Sequence, residues 1–197
     1  MATEWTQEAV DNLFWALHDY RLDVREAKVL GALASGFPVN ARKSWYPQCT
    51  LLGDLAWMSK TEVLVQAVVD AGADALIPDC YGQTPAHIAA NIGMLGVLKI
   101  LQAKCPGAMS ALDAKGNNLL YHHILIRPEQ DIILWLLQQP DLPLLAKNKR
   151  GQTALDECRQ RSWLHKRFSD VIECEMRCRA RWSGSRAAWL AATILYD

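Results

Sequence analysis

An all-α solenoid of about four to five helix-turn-helix units, closed by a C-terminal capping helix, is the fold class that this 197-residue sequence predicts. Three observations carry it. The run Asp79-Cys80-Tyr81-Gly82-Gln83-Thr84-Pro85-Ala86-His87-Ile88-Ala89-Ala90-Asn91-Ile92-Gly93 has a fainter copy opening at Asp113, 34 residues on, and another opening at Asn148, 35 after that. Upstream, Thr50-Leu51-Leu52 stands one 34-residue period before Thr84-Pro85-Ala86. In the best copy, turn-forming residues lead into a short helical stretch and then a longer, more apolar one. A period of this length marks supersecondary units that cannot bury their apolar faces alone and stack to do so.

In chain order, Thr6 to Leu17 and Val24 to Ser35 read as the two helices of an atypical first unit within residues 1–40, with Leu13, Phe14 and Leu17 on one face. Units follow over 41–76, 77–110 and 111–146. In the second of these, Asp79 suits the start of a tight turn and Gly82 its tip, where φ is positive. Thr84 reads as an N-cap, Pro85 as a first helical residue that needs no N–H, and Gly93 as the stop. Ala89 and Ala90 let a neighbouring helix approach closely. Leu95, Val97, Leu98, Ile100 and Leu101 then supply a second helix. Residues 147–182 hold the last unit and its cap: Leu155, Leu164, Phe168, Val171, Ile172 and Met176 recur at helical spacing and predict one long closing helix to about Arg179. Ser183-Gly184-Ser185 breaks the chain before a tail helix, Ala187 to Leu195, within residues 183–197. Solenoid ends need covering, and this tail is suited to the task.

The run at Asp79–Gly93 resembles the ankyrin repeat, whose pattern contains Asp-x-x-Gly-x-Thr-Pro-Leu-His-x-Ala-Ala. Here Ala86 replaces the Leu and Ile88 takes the variable place. Ala71-Gly72-Ala73-Asp74-Ala75 is similar to the family's Gly-Ala-Asp linker, and Ser35-Gly36-Phe37-Pro38-Val39-Asn40-Ala41 to a degenerate form of it. The resemblance covers roughly residues 25 to 160. Two copies depart from it. At Trp45, Gln48 stands for the turn glycine and Gly53 for the histidine; at Asp113, Asn118-Leu119 replaces Thr-Pro and His123-Ile124 the close-packing alanines. Both are expected to be irregular.

Composition narrows the function. Half the chain is hydrophobic and the formal net charge is zero, so nothing pulls it as a whole toward nucleic acid. Residues 1–26 carry six acids against two arginines, and residues 159–186 eight Lys and Arg against three acids. That basic end is either a solvated capping helix or a face for an acidic partner. No leader-like N-terminus is evident, and the apolar stretch from Ala187 to Tyr196 is half the length of a membrane span. Six cysteines at no framework spacing point to a reducing, cytoplasmic setting.

Catalytic motifs are missing from the sequence: there is no phosphate-binding glycine loop, no paired-histidine zinc helix and no serine elbow. Cys158, His165, Cys174 and Cys178 match no common zinc spacing, so neither a metal nor another cofactor is expected. Adjacent His122 and His123 point in different directions on a helix and read as packing residues. His87 falls on the family's structural histidine.

The resemblance implies a concave face lined by turn tips and the far ends of the first helices. In register, the helix ends are Trp57-Met58, Asn91-Ile92, Leu125-Ile126 and Gln160-Arg161, and most of the first six are large and apolar where solvent-facing residues are usual. The tips supply Tyr46, Tyr81, Gln83, Lys115, Asn117, Lys149 and Arg150, an aromatic-to-basic gradient. Such a cluster is what an interface centre looks like. The expectation is a non-catalytic protein-binding module that blocks its partner, as in toxin immunity. Two alternatives stay open: an adaptor or host-targeting effector linking two proteins, and a metal- or thiol-dependent enzyme. A shifted register or a folded-back tail would bury the same side chains instead.

Overall fold

A computed structural model describes residues 5–19, 21–58, 60–105, 107–126, 129–160 and 166–181. The regular elements among them are helical: α1 (Gln7–Leu17), α2 (Leu22–Ala34), α3 (Leu51–Trp57), α4 (Glu62–Asp70), α5 (Pro85–Ile92), α6 (Leu95–Lys104), α7 (Leu119–Ile126), α8 (Gln130–Gln138), α9 (Ala154–Gln160) and α10 (Lys166–Arg181). A single 3-10 turn spans Ala108–Ser110. Helices α3, α5, α7 and α9 pack in succession as one row. Behind them α2, α4 and α6 form a second row, while α8 packs on α7 and α10. The core runs between the rows, from Phe14 and Leu17 through Leu51, Leu98 and Leu120 to Leu136 and Ile172. No helix among the described residues is long and apolar enough to cross a membrane.

Local chemistry explains the elements. Thr6 caps α1 by accepting from the N–H of Ala9 at 3.2 Å, and Thr50 caps α3 by accepting from Gly53 at 3.4 Å. Pro85 starts α5, and Gly93 ends it in the left-handed region at φ 86°. Ala89 and Ala90 are fully buried where α5 meets its neighbours, so their small size is used. The Thr84 N–H donates to Nδ1 of His87 at 3.2 Å, which fixes the proton on Nε2, and Nε2 donates to the Asn117 carbonyl at 3.3 Å. His87 thereby caps its own helix and ties it to the next turn.

Three turns share one construction. The Asp79 carboxylate accepts from the N–H groups of Tyr81 and Gln83, that of Asp113 from Lys115 and Asn117, and the Asn148 amide oxygen from Arg150 and Gln152. Gly82, Gly116 and Gly151 follow with φ of 75°, 79° and 76°. The copy at Asp113, expected to be irregular, is therefore regular in its turn. Its Asn118 also caps α7 without Thr-Pro, accepting from Tyr121 at 2.9 Å. The copy at Trp45 does depart: Tyr46–Pro47 is cis, and Gln48 takes φ 60° without being glycine.

Other expectations need correction. The single closing helix is two separate elements, α9 and α10, with Leu164 outside the described residues. The second helix begins at Leu22 rather than Val24. The tail helix predicted within 183–197, together with His165 and the Cys178 side chain, also lies outside the described residues.

Candidate protein-binding groove

The turn tips are stitched together by a ladder of main-chain hydrogen bonds. Cys80 N–H donates to the Pro47 carbonyl at 3.0 Å, Ala114 to Tyr81 at 3.3 Å and Lys149 to Lys115 at 2.8 Å. This ladder aligns equivalent positions of successive units in rows. Tyr81, Lys115 and Arg150, each preceding its glycine, make one row. Along the ladder, the tips of the three full units and the end of α3 line a cavity of about 500 Å³. Six of the sequence-predicted residues meet there: Tyr46, Trp57, Tyr81, Gln83, Asn91 and Lys115.

Aromatic rings dominate its mouth. Tyr46, Trp57 and Tyr81 are 63%, 59% and 48% exposed, and the two tyrosines pack edge to face with centroids 5.2 Å apart. Gly53 lines the cavity. It stands 34 residues before His87, and a Cβ built on it would lie 3.0 Å from the Cys49 Cβ and 3.7 Å from Ile88 Cδ1. Where the second full unit has an imidazole, the first has no side chain, and Cys49 closes against the glycine.

Beneath it lies a buried ion pair. Lys43 Nζ is 2.6 Å from Asp54 Oδ1, with the two side chains 5% and 9% exposed. The ammonium also sits 5.5 Å from the centroid of Trp45 and 5.8 Å from that of Phe14. Cys49 donates its S–H to the same Asp54 oxygen at 3.0 Å. Burial, and then the Asp54 charge, push the Cys49 thiol up to about 12, so it stays protonated at neutral pH. Asp54 Oδ2 and Asn91 Oδ1 are buried without a hydrogen-bond partner among the described residues.

The histidines belong to the scaffold. His122 Nε2 donates to Asp113 Oδ2 at 3.0 Å. Burial would raise the Asp113 carboxyl, but hydrogen bonds from His122 and Asn117 outweigh it and hold the group well below the usual carboxylate range. His123 donates from Nδ1 to the Ala90 carbonyl at 2.8 Å and accepts from the Glu129 N–H at 3.0 Å, joining α7 to α5. Desolvation, and then the nearby His122, lowers His87 to about 4.

The remaining predicted residues divide. Ile126 is 60% exposed, and Lys149 and Arg150 are exposed on the last tip, all three outside the cavity. Ile92 is half-buried. Met58 and Leu125 pack against the core, so the large apolar helix-end residues do not all face the groove as the register implied. Asn117 is buried and is not a surface residue: it donates to Asp113 Oδ2 at 2.9 Å and accepts from Asn148 Nδ2 at 3.0 Å. Sequence reasoning missed Lys43, Asp54 and His18 as cavity neighbours. Gly53, also in the cavity wall, was visible in the sequence as a departure from the pattern.

No family model matches the chain. Over 104 residues it is 31% identical to the Homo sapiens protein named NF-kappa-B inhibitor zeta, and equally to its Bos taurus namesake. The match covers 48% of this chain and 14% of each relative, so the chain spans only a small part of the length of those proteins.

Proposed function

We propose that this chain is an ankyrin-repeat protein that binds a partner protein through the groove along its turn tips and inhibits that partner by occupying it. The observation that carries the reading is the cavity at Tyr46, Trp57 and Tyr81. Large aromatic side chains stand exposed around a concavity on a scaffold whose turns are fixed by hydrogen bonds. Exposed aromatics around a pocket are the usual energetic centre of an interface, and a rigid backbone lowers the ordering cost of binding. The period, the turn construction and the partial similarity to an ankyrin-repeat inhibitor support the family. Binding is favoured over chemistry because the buried titratable groups Lys43, Asp54 and Cys49 of the cavity wall are taken up by one another. Cys49, Cys80 and Cys105 are free thiols, which suits a reducing, cytoplasmic setting.

Affinity capture from the native cell tests this. A direct partner co-purifies with the parent and with Lys149→Ala, and is lost with Trp57→Ala/Tyr81→Ala. A partner held equally by the aromatic double variant would place the binding face elsewhere and refute the groove.

A further inference from the structure

The row of tips changes chemistry from one end to the other, and the change says what kind of segment fits. Tyr81 lines the cavity; the equivalent residue on the next tip is Lys115, which lines it too, and on the next Arg150, with Lys149 beside it. These three cations are exposed and enter no ion pair among the described residues. No tip carboxylate answers them. Asp79 and Asp113 are buried and spent on their own turns' N–H groups, and the corresponding position of the last turn is the uncharged Asn148. The groove thus runs from an aromatic pocket to a cationic strip with no counter-charge supplied by the tips themselves.

Spacing adds a register. Packed helices stand about 8–10 Å apart, and the ladder holds one tip per helix of the front row. An extended chain in the polyproline II conformation advances about 3.1 Å per residue and brings a side chain back to the same side every three residues, so every third residue faces a tip. We propose that the groove takes an extended acidic segment of a partner protein. In that conformation the segment seats one large apolar side chain between Tyr46, Trp57 and Tyr81 and sets carboxylates against Lys115 and Arg150, about three and six residues along. The inference rests on the protein-binding reading above and specifies its partner. A nucleic acid fits less well. The two tyrosines meet edge to face rather than offering parallel faces to bases, and Asp54 and Asp79 lie in the same cavity wall.

Selection of a random-peptide display library on the intact protein tests it. The expected peptides carry Leu, Ile, Phe, Tyr or Trp with Asp or Glu three and six residues away on one side. Synthetic representatives should lose about tenfold or more in affinity when those acids become Asn or Gln, and should weaken as salt is raised. Lys115→Glu/Arg150→Glu, two exposed positions that do not support the core, should reject them and select Lys or Arg at the same places. Enrichment without acids at that spacing, no enrichment at all, or displacement of the peptides by a lower concentration of single-stranded oligonucleotide overturns the proposal. If a partner is still lost with Trp57→Ala/Tyr81→Ala while acids prove unnecessary, only the acidic specificity fails and the groove stands.

Discussion

Replacing Gly82, Gly116 and Gly151 by alanine, one at a time, imposes nearly the same backbone strain at three places, since their φ values are 75°, 79° and 76°. A non-glycine residue in the left-handed region costs about 1–2 kcal/mol. What differs is the space a methyl group finds. At Gly151 the new Cβ meets no described atom within 4 Å, so strain alone remains and the cost is about 1–2 kcal/mol. At Gly116 it comes to 3.2 Å from the Asn148 Cα, a contact relieved by a small shift of the last turn. At Gly82 it lies 2.5 Å from the Ala114 nitrogen and 2.7 Å from its Cβ, so the two turns must separate. That separation also stretches the Ala114 to Tyr81 hydrogen bond. Overpacking of this kind adds about 1–3 kcal/mol, for a total of about 2–5 kcal/mol at Gly82. Urea unfolding followed by circular dichroism should rank the variants Gly151→Ala, Gly116→Ala, Gly82→Ala in order of increasing loss. Three losses equal within about 0.5 kcal/mol would show that turn-to-turn contact contributes nothing, and the ladder argument would fall.

Acid should weaken the fold before the carboxylates titrate. His87 is depressed from 6.5 to about 4 by burial, so its contribution is complete above pH 6.5 and is lost as pH falls toward 4, a change of about 3 kcal/mol. His123 is lowered in the same direction by desolvation. Urea midpoints measured from pH 7.5 to 4.5 should fall, with a shallower slope for His87→Gln; a flat profile contradicts the assignment. Lys43→Met, which strands the buried Asp54 carboxylate, should cost about 3–5 kcal/mol, and adding Asp54→Leu should recover most of it. A double variant no more stable than the single would mean that the pair is not the source of the loss. Trp57→Ala/Ile126→Ala should melt within about 1 kcal/mol of the parent because both side chains are largely exposed, while Met58→Ala should lose more. The same double variant should weaken partner binding by about a hundredfold, read by calorimetry once a partner is in hand.

Local chemistry was legible in the sequence, and geometry that depends on missing or distant atoms was not. Asp79, Gly82, Thr84 and Pro85 each have one strong backbone preference, and all four do what that preference dictates. Asn118-Leu119 in place of Thr-Pro predicts an irregular unit, yet asparagine caps as well as threonine and Asn118 does so. Apolar spacing continues from Leu155 through Leu164 to Met176, so periodicity could not separate α9 from α10. In the site, register located the rows correctly but not the direction of each side chain. Positions directly after the turn glycine, Gln83, Asn117 and Gln152, are all at least half-buried, and at Asn117 the amide turns onto the Asp113 carboxylate of its own turn. Lys43 and Asp54 are paired across eleven residues outside any periodic pattern, and neither residue type announces burial.

The ladder of main-chain hydrogen bonds has a consequence for how this surface can change. Cys80 to Pro47, Ala114 to Tyr81 and Lys149 to Lys115 are joined by amide and carbonyl groups that every non-proline residue possesses, apart from the glycines whose φ the turns require. The exposed side chains at the tips are bystanders to the bonds that hold them in place. Exchanging Tyr81 for a charge, or Arg150 for an aromatic, rewrites what the groove recognises without touching the framework. Lettering and page are separate here, so new specificities are reachable by single substitutions that leave stability intact.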